Sequence, residues 1–226
     1  MHLIIGPTTT GKTGRSVELA QQTGASVISL DRIQCHSELS VGSGRPSDTE
    51  LRATRRYYLC DRPVADGELP AAQANLLLHD LVEQFRRQNE QIILEGGSMS
   101  LLAAINADAE WNQYEWTVER LRLPTANVFR AKACTRVREM LQPAVGPSML
   151  DEAVAVSCDP DASKVLRGIV GYRTLCQYAD HHDMSLTELA RCCSASVLDA
   201  LVDAIIADFL AYAKVQELTL RALYGP

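Results

Sequence analysis

Eight residues near the amino terminus, Gly6-Pro7-Thr8-Thr9-Thr10-Gly11-Lys12-Thr13, constrain this chain more than any other stretch. They match G-x-x-x-x-G-K-[ST] in full and follow the apolar run Leu3-Ile4-Ile5. An apolar run that stops at a glycine reads as a short buried strand. The segment from Lys12 to Gln22 carries Val17, Leu19 and Ala20 among polar residues and meets Gly24, which reads as a helix with a glycine C-cap. Strand, glycine-rich loop and helix in that order form a P-loop, whose converging backbone N–H groups and helix N-terminus hold phosphate oxygens. Thr8, Thr9, Thr10, Gly11, Lys12 and Thr13 are the candidate phosphate ligands, with Lys12 as the full charge and the Thr13 hydroxyl as a contact for a metal ion.

The rest of the chain repeats the strand-helix alternation. Ala25 to Leu30 reads as a second buried strand delivering Asp31, and Gln91 to Glu95 as a third ending in Gly96-Gly97-Ser98. Between them the spacing predicts a helix over 47–57, capped by Ser47 or Asp48, and another over 71–87 with Ala74, Leu77, Leu78, Leu81, Val82 and Phe85 on one face. Glu115 to Leu123 reads as a fourth strand. Beyond Pro124 only helices are expected, over about 126–141, 162–179 and 195–220, with a short one near Leu186. The expected fold is α/β, a P-loop NTPase-like parallel sheet flanked by helices, with a helical C-terminal layer covering the mouth of the sheet. Residues 1–124 would form the α/β core and residues 125–226 the helical portion packed on it, within the 226 residues of one compact domain.

Composition removes several classes. The formal net charge of −6 makes an extended nucleic acid a poor partner. Seven cysteines without a C-x-x-C pair suit neither a disulfide framework nor a zinc site and read as reduced thiols. No apolar run is long enough to cross a membrane and no signal peptide is evident at Met1, so a cytoplasmic protein is expected.

Ligands of open α/β sheets sit outside the carboxyl ends of the strands, which puts Asp31 and the P-loop in one crevice. An aspartate there serves as a base, caps a turn or binds a metal, and position alone leaves these open. Gly42-Ser43-Gly44-Arg45-Pro46 has the make-up of an anion-gripping turn or of a plain surface loop. In the helix after Pro124, Arg130, Lys132, Arg136 and Arg138 form a basic group, of which Arg136 is the candidate to reach the phosphates and the others a solvated face. The nearest match to a Walker B acid is Ile92-Ile93-Leu94-Glu95, followed by Gly-Gly, so an ordinary ATPase is unsupported. A small P-loop kinase and a non-catalytic P-loop regulator remain compatible with these residues.

Further blocks narrow the field. Leu30-Asp31-Arg32-Ile33-Gln34-Cys35, Gly42-Ser43-Gly44-Arg45-Pro46, Thr54-Arg55-Arg56-Tyr57-Tyr58-Leu59, Asp61-Arg62-Pro63, Leu94-Glu95-Gly96-Gly97-Ser98 and Gly171-Tyr172-Arg173, taken with the P-loop, resemble the bacterial adenylate isopentenyltransferases of cytokinin biosynthesis over about residues 1–216. The resemblance implies transfer of the dimethylallyl group from dimethylallyl diphosphate to N6 of AMP, with Mg²⁺ as cofactor, those two small molecules as partners, and no nucleic acid or membrane. It implies Asp31 as the base for the N6 proton, Thr8 at the bridging oxygen of the diphosphate, Lys12 and Arg136 on the leaving group, and Gln34, Ser43, Gly44 and Arg45 with Asp31 as AMP contacts. Relatives that accept a hydroxylated donor carry an Asp just before Gly-Tyr-Arg and a His in the last helix. Here Val170 and Tyr212 stand at those places, with Phe209 nearby, so a tail pocket suited to the unhydroxylated donor is expected. The tRNA dimethylallyltransferases share the chemistry but are longer and grip an anticodon stem through an inserted domain, for which this acidic chain has no spare segment.

Overall fold

The structure is a computed structural model that describes residues 1–225. In chain order its elements are β1 (His2–Ile5), α1 (Lys12–Thr23), β2 (Ser26–Leu30), α2 (Asp48–Leu51), β3 (Arg56–Tyr57), α3 (Ala71–Arg87), β4 (Ile92–Gly96), α4 (Met99–Ala107), β5 (Thr117–Arg120), α5 (Ala126–Leu141), α6 (Met149–Val156), α7 (Pro160–Leu166), α8 (Tyr172–His181), α9 (Leu186–Arg191) and α10 (Ala195–Tyr224). The strands form one sheet in the order β3-β2-β4-β1-β5, and every pair is parallel. Sheets of this kind are covered on both faces, and the strands read accordingly: Leu3, Ile4, Ile5, Val27, Ile28, Leu30, Ile93 and Leu94 are all buried. Ile4, Val27 and Ile93 pack with Ala20 of α1 on one face; Leu3, Ile5, Ile28 and Leu94 meet Leu78, Val82 and Phe85 of α3 and Leu101 and Leu102 of α4 on the other.

A third core lies mainly under the C-terminal helices and joins Phe129 and Val137 of α5, Leu150 of α6, Tyr172 of α8 and Leu201, Ile205 and Phe209 of α10 with Leu39 and Val64 from the N-terminal portion. Helix α10 crosses the division at residue 124, since its Leu220 belongs to the core beneath the sheet. Two ties fix its far end to β5: the Arg120–Glu217 ion pair at 2.9 Å and the Leu123 N–H, which donates to Glu217 at 3.0 Å.

Two expected helices are different in the structure. The segment 47–57 holds only the single turn of α2, capped by Ser47 and Glu50 in reciprocal hydrogen bonds. Arg52 and Ala53 then take positive φ values of 47° and 62°, which end the helix and turn the chain into β3 beside β2. The segment 162–179 is two helices, α7 and α8, broken at Gly171, whose φ of 86° no right-handed helix accommodates. A side chain there would meet the Phe209 ring at 2.9 Å. Helices α4 and α6 lay outside the expected pattern, and β5 is shorter than the expected strand.

Candidate active site

One cavity of about 580 Å³ opens at the carboxyl ends of β1, β2 and β4, where the sheet meets α5, the α7–α8 connection and α10. The Gly6–Thr13 loop forms one wall, with Thr8, Thr9, Gly11, Lys12 and Thr13 lining it. Thr9 (φ 65°) and Gly11 (φ 95°) bend this loop around the start of α1, whose first N–H groups have no helical acceptors. The loop is braced from within: the Lys12 Nζ and the Thr10 hydroxyl each donate to the Pro7 carbonyl at 2.8 Å. Thr10 therefore turns its side chain back into the loop and, unlike its neighbours, does not line the cavity. The Gly96-Gly97 pair after β4 has a steric cause, because a Cβ at Gly96 would lie 2.5 Å from the Leu30 carbonyl oxygen and one at Gly97 2.7 Å from that of Gly6.

Asp31 stands at the tip of β2 on the same cavity. Its Oδ1 accepts from the N–H groups of Ile33 at 3.0 Å and Gln34 at 3.4 Å, while Oδ2 has no hydrogen bond from the described residues. Desolvation pushes the Asp31 carboxyl above the ordinary carboxylate range, against the two backbone bonds and the charge of Lys12; Glu95 adds to the rise. The same desolvation pulls the Lys12 ammonium below its ordinary value, opposed by Glu95 and Asp31. Both residues thus respond to pH nearer neutrality than in water.

Behind them lies a buried ionic layer. Arg56 of β3 and Glu95 of β4, with side chains 2% and 4% exposed, pair at 2.5 Å. Arg56 Nη2 also donates to Ser29 Oγ at 3.2 Å and approaches Gln34 Oε1 at 3.5 Å. Glu95, the nearest match to a Walker B acid, is therefore neutralised by an arginine and is no free metal ligand.

The segment after β2 supplies the opposite wall. Gln34, Gly42, Ser43 and Gly44 line the cavity, and Gln34 Nε2 donates to the Ser43 carbonyl at 3.2 Å while its Oε1 accepts from Ser29 at 2.8 Å. Arg45, expected here as a nucleotide contact, is a correction: it does not line the cavity. Its guanidinium is bound to the Gln34 carbonyl, with Nε at 2.8 Å, and lies 4.1 Å over the Tyr58 ring, so it braces Gln34 from behind. The turn itself is held by Glu152 of α6, which accepts from the Ser40 hydroxyl (3.1 Å), the Val41 N–H (2.8 Å), the Gly42 N–H (3.0 Å) and the Tyr172 hydroxyl.

The helical layer closes the remaining side with Lys132, Arg136, Met140, Ile169, Val170, Phe209 and Tyr212. Arg136 is on the cavity but pairs with Glu50 at 3.0 Å. Arg130 and Arg138 pair with Asp203 and Asp199 on α10, away from the cavity. Val170, Phe209 and Tyr212, with Ile169, give the cavity an apolar portion contributed by the C-terminal part of the chain. Sequence reasoning missed Gln216, whose Oε1 accepts from the Thr8 N–H and whose Nε2 donates to the Gly97 carbonyl, both at 2.8 Å. Nothing local marks a glutamine on a C-terminal helix as a partner of a loop 208 residues earlier. Chemically, this is an anion cradle beside a carboxylate with one open oxygen, roofed by apolar side chains: an arrangement for removing a proton from a nucleophile as an anion departs.

Residues 1–224 match the family model described as isopentenyl transferase. Among curated relatives, the adenylate dimethylallyltransferase of Ralstonia solanacearum is 46% identical over 219 residues, covering 96% of this chain and 92% of its own. The enzymes of that name from Agrobacterium tumefaciens strain Ach5 and Pseudomonas savastanoi are 40% and 39% identical, over 96% of this chain and 90% and 93% of theirs. A solved structure of a tRNA isopentenylpyrophosphate transferase from Bacillus halodurans superposes with a TM-score of 0.75 at 17% identity, covering 99% of this chain and 87% of that one, and so shares the fold.

Proposed function

The chain belongs to the isopentenyl transferase family, and on that premise we propose that it is an adenylate dimethylallyltransferase, moving the dimethylallyl group of dimethylallyl diphosphate onto N6 of AMP. The observation that carries this reading is the one cavity shared by the Gly6–Thr13 loop and the open oxygen of Asp31. The N6 amine attacks C1 of the allyl group, the C1–O bond breaks, its electron pair leaves with diphosphate, and the N6 proton passes to Asp31 Oδ2. The adenine amine is a weak nucleophile because its lone pair is delocalised into the ring, so a placed base contributes about 10²–10⁴-fold. Thr8 meets the bridging oxygen; Lys12, Arg136 and the loop amides take up the charge of the leaving group as it develops. Gln34, Ser43 and Gly44 border the acceptor, and Ile169, Val170, Phe209 and Tyr212 shelter the allylic cation from water.

Mg²⁺ fits this site in a limited way. Among the described residues no group of three His, Cys, Asp or Glu side chains is set to hold a metal, whereas the Thr13 hydroxyl lines the cavity. An ion held by Thr13, diphosphate oxygens and water matches the coordination Mg²⁺ prefers, and when bound it would neutralise charge on the leaving group.

The test is direct. Purified protein given AMP and dimethylallyl diphosphate should yield AMP carrying one five-carbon group, read by mass spectrometry, and should leave an anticodon stem-loop unmodified. A phosphorylated product would make it a kinase instead, and modification of the stem-loop but not AMP would make it a tRNA enzyme.

A further inference from the structure

Arg56 is a buried cation at the cavity with two nitrogens that have no hydrogen-bond partner among the described residues. Its side chain is 2% exposed, and the two atoms, Nε and Nη1, are buried. All of its contacts use Nη2. A guanidinium cannot shed its charge, and buried N–H groups rarely stay without acceptors, so a missing acceptor belongs beside this group.

Topology says what that acceptor is. Arg56 starts from the edge strand β3, in register with Val27 of β2, and its guanidinium reaches Glu95 of β4. Glu95 is in register with Ile4 of β1, two residues before Gly6. The cationic end of Arg56 therefore reaches across β2, past Ser29, to Glu95 of β4, on the cavity that the Gly6–Thr13 loop also lines. Its charge also acts on Lys12, among the causes, led by burial, that shift that residue. The anion this floor can meet is the one held by the loop.

We propose that Arg56 is a substrate-contacting residue, donating from its free N–H groups to an anionic oxygen of the diphosphate in the Gly6–Thr13 loop. This rests on the reading of that loop as a diphosphate cradle. Arg56 then supports charge build-up on the departing group together with Lys12 and the loop amides. Glu95 keeps the guanidinium in place when no anion is bound.

Removing Arg56 alone would strand the buried Glu95 carboxylate, so the test uses Glu95→Gln and the double variant Arg56→Met/Glu95→Gln, with Arg56→Lys as the variant that keeps the charge. Calorimetric titration with inorganic pyrophosphate in Mg²⁺ buffer should show Glu95→Gln binding at least as tightly as wild type. The double variant should bind roughly 10- to 150-fold more weakly, and Arg56→Lys between the two. Affinity for AMP should change by less than about twofold. If wild type binds pyrophosphate and the folded double variant matches it, Arg56 has no such role; a loss confined to AMP overturns the proposal equally. Should the double variant fail to fold, Arg56→Lys decides, and unchanged affinity there is a negative result. A wild-type protein that binds no pyrophosphate overturns the cradle reading itself, and the proposal with it.

Discussion

At Asp31 the two carboxylate oxygens divide structure from chemistry: Oδ1 holds the turn through the Ile33 and Gln34 N–H groups, and Oδ2 is open to the cavity. Asp31→Asn keeps an acceptor for that turn and removes the proposed base. Turnover should fall about 10²–10⁴-fold in steady-state assays, with diphosphate binding retained. The same substitution tests the pKa. A carboxyl raised on folding binds its proton more tightly in the native state, so its charge destabilises the fold above that raised pKa and the penalty vanishes as the pH falls through it. The Asn variant should thus melt at a higher temperature than wild type at pH 7, with the gap narrowing toward the ordinary carboxylate range. A gap of opposite sign would mean that Asp31 is not held above its ordinary value. For wild-type kcat/KM, the acid limb should lie above the ordinary aspartate range and the alkaline limb below the ordinary lysine value of 10.5, since in the proposed mechanism Asp31 is charged to accept a proton and Lys12 to hold the anion.

At the scale of elements, the acceptor wall is a turn gripped from another layer. Glu152 on α6 takes the N–H groups of Val41 and Gly42, and the Tyr172 phenol, raised first by burial and then by the Glu152 charge, stays protonated and donates to it. Ser43 and Gly44, the next residues, line the cavity. Glu152→Gln sets an amide NH₂ against one of those donors, so the turn should loosen: KM for AMP should rise about tenfold while kcat and KM for the prenyl donor move by less than about twofold. Equal changes for both substrates would reduce Glu152 to a general stabiliser. These long-range ties also explain what the sequence left illegible. The loop between β1 and α1, β1, β2, β4 and the position of Asp31 were readable because each rests on a local run and its punctuation. The fate of 47–57 was not, since β3 exists by pairing with β2, and neither was Arg45, whose partners Gln34 and Tyr58 come together only after the fold has formed. Glu152 and Gln216 reach the site from helices whose local pattern announces only a helix.

For the molecule as a whole, the cavity is a joint between two kinds of surface. The sheet brings the ionic floor of Lys12, Asp31, Arg56 and Glu95, and the C-terminal portion brings Lys132 and Arg136 of α5 and the apolar Ile169, Val170, Phe209 and Tyr212. A donor with an anionic head and an apolar tail is oriented by that polarity, head to the loop and the α5 cations and tail to Ile169, Val170, Phe209 and Tyr212. Ile169, Val170 and Phe209 offer no polar group to a tail; Tyr212 offers one hydroxyl, its phenol raised by burial and then by the charges of Asp31 and Glu68 and so neutral, and the Glu68 carboxylate at the cavity is already held by Arg32 at 2.7 Å. A hydroxyl on the donor tail would exchange water for at most a neutral partner, a poorer bond than a carboxylate supplies. In competition the protein should therefore favour dimethylallyl diphosphate over its hydroxylated analogue by kcat/KM on the order of tenfold. Tyr212→Phe should widen that ratio by removing the remaining hydroxyl, and Val170→Asp should narrow it by adding a charged acceptor. The ratio of the two prenylated products, measured by mass spectrometry from an equimolar donor mixture, decides the matter. Equal use of both donors by the wild-type protein would mean that the helical layer leaves the tail in contact with water.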